Sequence, residues 1–132
     1  MSNDTHRPVT RRESVYQHLT VMQIHDRDDL EQIHPVGEID LSTAPVLRDA
    51  LADTERRQVP NVLVDLSDVQ FLALVGVQVL RAASARCATD GRRLVLAAPT
   101  HPVQRVLSLT EATADLEVYV TLTSALSAFS RV

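Results

Sequence analysis

A chain of 132 residues carrying a formal net charge of -4 fits one domain of ordinary size. The hydrophobic share of 45% supports a genuine core, but aromatic residues make up only 3%, so that core is built from Val, Leu, Ile and Ala. All 13 basic residues are Arg, and the doublets Arg11-Arg12, Arg56-Arg57 and Arg92-Arg93 are separate, so the whole chain gives no electrostatic support to direct nucleic-acid binding.

Residues 1–14 (MSNDTHRPVTRRES) read as a disordered lead, with the domain at 15–132. No segment is apolar enough for membrane insertion, and the lead lacks the apolar stretch of a secretion signal. "HLTVMQIH", His18 to His25, alternates as a half-buried strand. The turn cluster Asp26 to Asp29 returns the chain into "LEQIHPVGEI", which predicts an antiparallel hairpin. "DLSTAPVLRDALADT" then changes period, with Leu47 and Leu51 at helical spacing. Ser42 or Thr43 is placed to cap the start, and Pro45 suits the first turn.

"NVLVDL", Asn61 to Leu66, is a continuous apolar run of strand length, the pattern of a central strand covered on both faces. A helix from about Ala73 to Asp90 follows, with Gly91 as its stop. "RLVLAAP" is another buried strand. "THPVQRVLSL" is a helix with Thr100 as cap, "LEVYV" a short last strand, and "TLTSALSAF" a last helix. Strands alternating with helices need right-handed crossovers and a mostly parallel sheet. The expected fold is therefore α/β, one domain with a mixed, mainly parallel five-strand sheet, about four helices and an N-terminal antiparallel hairpin.

The chemical inventory argues against catalysis. Gly37, Gly76 and Gly91 are too scattered for a phosphate-binding loop or dinucleotide fingerprint, and no G-x-S-x-G elbow occurs. His6, His18, His25, His34 and His101 lack metal-ligand spacing. No catalytic residue, metal site or cofactor is assigned. Cys87 stands alone, which excludes an internal disulfide, suits a reducing cytoplasm and reads as a small buried helix residue. A binding module remains.

Two blocks carry a resemblance. "VGEIDLSTAPVLRDAL", Val36 to Leu51, joined to "NVLVDLSDVQFLALVGVQVL", Asn61 to Leu80, resembles the STAS domain, the fold of bacterial anti-sigma factor antagonists. The order of elements is similar as well, over roughly residues 15–132. The resemblance implies a cytoplasmic regulator whose partner is an anti-sigma factor of kinase type. In that family the kinase phosphorylates a serine at the entrance of the second helix, within D-S-S-G or D-S-T-G. Aligned on "FLALVG", those positions fall on Ala73, Leu74, Val75 and Gly76, so only the glycine is kept.

The implied docking residues are Asp40, Ser42, Thr43, Ala73, Leu74, Val75 and Gly76, with no phosphorylation at the family position, Leu74. Leu74 and Val75 either fold inward or form an exposed apolar patch on a docking surface. Asp40 serves either that surface or the start of the first helix. Gly76 suggests a close backbone approach, to a neighbouring strand or to a partner. Ser67 and Asp68 read as turn residues or as substitute polar contacts. A STAS module of another assembly, such as a scaffold complex or the cytoplasmic component of a lipid transporter, is the alternative. The oligomeric state is not legible.

Overall fold

The computed structural model describes residues 10–16 and 18–129. In chain order the elements are β1 (Thr10–Tyr16), β2 (Leu19–Arg27), β3 (Leu30–Ile39), α1 (Ala44–Arg56), β4 (Asn61–Asp65), β5 (Asp68–Leu72), α2 (Leu74–Thr89), β6 (Arg93–Ala97), α3 (His101–Leu109), β7 (Glu117–Tyr119) and α4 (Leu122–Ala128), with a 3-10 turn at Ala112–Ala114. One mixed sheet holds the strands in the order β1-β2-β3-β4-β6-β7, and β5 extends it beside β3. The first three strands are antiparallel, and β4 to β7 run parallel to β3 or to one another.

The expected α/β fold, hairpin and helices are all present. The strand count rises from five to seven, because β1 and β5 were not anticipated. Strand β1 begins at Thr10 inside the segment expected as a lead, and residues 1–9 lie outside the described residues.

Strand β4 is the central strand its composition demanded. It lies between β3 and β6, and Val62, Leu63 and Val64 are fully buried. Its alternating side chains feed two cores. Val62 and Val64 join Ile33, Leu47, Leu80, Val103 and Leu107 under α1, α2 and α3. Leu63 joins Leu30, Val95, Ala97 and Phe129 under α4. Three helices thus share one face. On the other, α4 packs on β4, β6 and β7, and among the described residues no helix covers the half formed by β2, β3 and β5.

The far end of α1 is seated by charge. Arg57 donates to both carboxylate oxygens of buried Glu31 at 2.8 and 2.9 Å and to Asp53 at 2.6 Å, while Gln23 donates to both carboxylates. Burial disfavours the charged Arg57 guanidinium, but hydrogen bonds from it to Asp53 and Glu31 outweigh that and raise its pKa. Gly91 follows the end of α2 with φ +71, a conformation that glycine tolerates and that stops the helix as expected.

Candidate functional site

The register of β3 and β5 builds the site. Ile39 pairs with Leu72, and the Ala73 N–H donates to the Ile39 carbonyl at 2.8 Å. The two chains therefore leave the sheet side by side, one into α1 and the other into α2.

At the α1 entrance Asp40 ties the turn that precedes the helix. Its Oδ1 accepts from the Ser42 N–H at 3.0 Å, the Ser42 hydroxyl at 2.9 Å and the Thr43 N–H at 3.0 Å. The hydroxyl of Ser42, followed by the Thr43 amide, holds the Asp40 carboxyl below its usual range. Thr43 occupies the N-cap position but makes no side-chain cap. Its buried hydroxyl instead accepts from the Asp40 N–H and donates to the Glu38 carbonyl, both at 2.9 Å. The side-chain cap expected from Ser42 or Thr43 is thus absent, and Asp40 instead fixes the turn just before the helix. One carboxylate oxygen gathers the amides and hydroxyls of both Ser42 and Thr43 in this tight turn.

The α2 entrance has nothing comparable. Ala73 is the N-cap residue, with the extended backbone (φ -80, ψ 166) that cap residues adopt, yet no side chain accepts from the first turn. No acidic residue occupies that turn. Leu74, its first residue, is 57% exposed, whereas Val75 is half-buried and packs on the core. The two therefore part ways, one outward and one inward.

Gly76 is buried, and a Cβ there would lie 2.5 Å from Leu72 Cδ1 and 2.8 Å from Ile39 Cγ2. The close approach is to the ends of β5 and β3, and it lets α2 descend onto the sheet.

Of the expected site residues, Asp40, Ser42 and Leu74 reach the surface at the paired entrances. Ala73 and Val75 are half-buried, while Thr43 and Gly76 lie beneath and shape it. Two residues were missed. Leu41, between Asp40 and Ser42, is 79% exposed, and Phe71 on β5 is 48% exposed. Leu41 carried a signal, since it is a large apolar residue between a strand and a capped helix start. Phe71 carried none, because its direction depends on the pairing of β5. Ser67 and Asp68 stand exposed in and just after the β4–β5 turn, where the Ser67 N–H donates to Asp65 at 3.0 Å and Asp68 lies 2.8 Å from His34 Nε2.

The other sequence candidates are placed as follows. Cys87 is 3% exposed, and burial pushes its thiol pKa up. Thr100 precedes α3 but donates its hydroxyl to the Val69 carbonyl at 2.7 Å, tying down the outer edge of β5 rather than capping. His25 and His34 serve opposite faces of the sheet, beside Glu31 and Asp68 respectively. Among the described residues no group of His, Cys, Asp and Glu could hold a metal ion, and no helix is long and apolar enough to cross a membrane.

Comparison with known proteins agrees with this geometry. The family model described as "Mlab, STAS domain" matches residues 23–121. The crystal structure of an anti-sigma factor antagonist from Mycobacterium paratuberculosis is similar with a TM-score of 0.77 and 30% identity, covering 87% of this chain and 97% of that one. The anti-sigma factor antagonist SpoIIAA in its unphosphorylated form is similar at a TM-score of 0.65 and 14% identity, over 89% of this chain and 93% of that one. A murine Solute Carrier 26 family anion transporter matches 78% of this chain with 18% of its own, at a TM-score of 0.65 and 16% identity. The last two likenesses speak for the fold alone.

Proposed function

The chain belongs to the STAS-domain family, and from that premise we propose that it acts as an anti-sigma factor antagonist without a switch at the usual serine position. Its partner is an anti-sigma factor or related kinase-like protein, met in the cytoplasm. The docking surface is the pair of helix entrances, with Leu41 and Leu74 as apolar contacts and Asp40 and Ser42 beside them.

The observation that carries this reading is the exposed Leu74 at an uncapped helix entrance. A helix start with free amides favours an oxygen side chain, and a cap is worth about 1 kcal/mol. A leucine there leaves those amides to water and adds apolar surface. Docking would cover that surface, which supplies a reason for the residue. The same substitution removes the hydroxyl that a kinase would modify.

The rival role, a STAS module of another assembly such as the cytoplasmic component of a lipid transporter, would use the same surface for a different partner. Pull-down from the native cytoplasm, followed by identification of the proteins retained by wild type but not by Leu74→Asp, separates them. An anti-sigma kinase supports the antagonist, and transporter subunits support the rival.

A further inference from the structure

Strand β5 contains an extra residue. Val69 pairs with Gly37 and Phe71 pairs with Glu38, so Gln70 has no place in the ladder. In a regular strand Phe71 would point to the same face as Val69, which is fully buried under the helices. The bulge reverses that assignment: Leu72 turns into the core and Phe71 stands on the opposite face, 48% exposed. Bulges re-aim side chains, and this one turns an aromatic ring out of a core that has few of them.

Phe71 emerges on the half of the sheet that no helix covers among the described residues. Val36, 37% exposed, adds aliphatic surface there, and Glu38 lies directly opposite Phe71. The Glu38 carboxylate is exposed and, among the described residues, engages no hydrogen bond or ion pair. Asp68, paired with Val36 in the register, has a side chain 55% exposed. The basic groups at this cluster are His34, held against Asp68, and the exposed His18, whose carbonyl accepts from the Glu38 N–H across the β2–β3 ladder. An apolar ring and an aliphatic side chain are thus flanked by two carboxylates.

We propose that Phe71, Val36, Glu38 and Asp68 form a second docking surface, separate from the helix entrances, for a protein segment that carries arginine beside an aliphatic residue. A guanidinium can pair with Glu38 while lying over the Phe71 ring, because its flat face is weakly hydrated and its edge carries the donors. The aliphatic neighbour covers Val36. Exposed aromatic anchors of this kind carry a large share of interface energy. The proposal is independent of the antagonist reading.

The test is an NMR amide titration of the full chain with a pentapeptide alternating arginine with leucine and valine, and with its glutamate counterpart. Sedimentation of the free protein accompanies it. The arginine peptide is expected to shift Val36, Glu38, Gln70 and Phe71, more weakly as salt is raised, while the glutamate peptide shifts nothing. Phe71→Ala and Glu38→Gln should each weaken binding by about tenfold. Both positions are exposed, and if Phe71→Ala unfolds, the loss of binding in Glu38→Gln decides the matter alone. The proposal is overturned by equal binding of both peptides, by no shift at millimolar arginine peptide, or by shifts centred on Leu74. It is also overturned if the free protein is a dimer that Phe71→Ala converts to a monomer, since the face would then belong to a second copy.

Discussion

Replacing Leu74 by Asp should move fold stability and partner binding in opposite directions. Leu74 is the first residue of α2, and 57% of its surface is in water. Burying a whole leucine side chain contributes about 1.5–3 kcal/mol, so covering the exposed share on docking is worth roughly 1–2 kcal/mol. That corresponds to about a five- to thirtyfold loss of affinity for Leu74→Ala, and more for Asp, whose carboxylate would be desolvated on docking. The fold responds the other way. A carboxylate in the first turn meets unpaired amides and the positive end of the helix, which stabilises by about 0.3–1 kcal/mol. Urea unfolding followed by circular dichroism measures the effect on the fold, and calorimetric titration with the captured partner measures the effect on binding. A folded Leu74→Asp protein with wild-type affinity would remove Leu74 from the docking surface. A loss of stability above about 1 kcal/mol would contradict its position at an open helix start.

Three further outcomes follow from the same geometry. Ala73 already has the backbone of a cap residue, so Ala73→Ser should raise unfolding stability by about 0.5–2 kcal/mol, and an unchanged urea midpoint would count against the described N-cap. Gly76→Ala gains about 1 kcal/mol of helix propensity but forces a Cβ against Leu72 and the stiff, buried Ile39 at a cost of about 1–3 kcal/mol, so a net loss in chemical denaturation is expected and a stabilised variant would contradict the close approach. Asp40 has a lowered pKa in the fold, so its contribution to the turn before α1 is complete above the ordinary value of 3.8 and is lost as pH falls through the lowered one. The stability difference between wild type and Asp40→Asn should accordingly shrink on acidification below that value, and a difference that grows instead would reverse the sign.

The parts of the fold legible in the sequence were those with an uninterrupted pattern. The apolar run of β4, the alternation of β2, and the helical spacing of Leu47 with Leu51 each report burial directly. Strand β5 was hidden because its bulge breaks alternation, leaving Gln70 and Phe71 both exposed between buried Val69 and Leu72. Strand β1 was hidden by polar residues suited to a sheet edge. At the site, the missing oxygen of Leu74 was visible as a residue type. Its exposure was not, because that depends on how Gly76 lets α2 settle on Leu72 and Ile39. The hold of Asp40 on the turn before α1 likewise depends on geometry, which brings one carboxylate oxygen to two amides and two hydroxyls.

The most direct measurement is the intact mass of the protein after incubation with ATP and the anti-sigma kinase proposed as its partner, paired with binding before and after. Leu74 and Val75 carry no hydroxyl, Ser84 lies well inside α2, and the exposed hydroxyls of Ser67 and Ser42 stand at other turns. An unchanged mass and undiminished binding are expected, with Ala73→Asp, Leu74→Ser and Val75→Ser together creating a phosphate acceptor in the same assay. Stoichiometric phosphate on the wild-type chain, with loss of the partner, would contradict the absence of a switch.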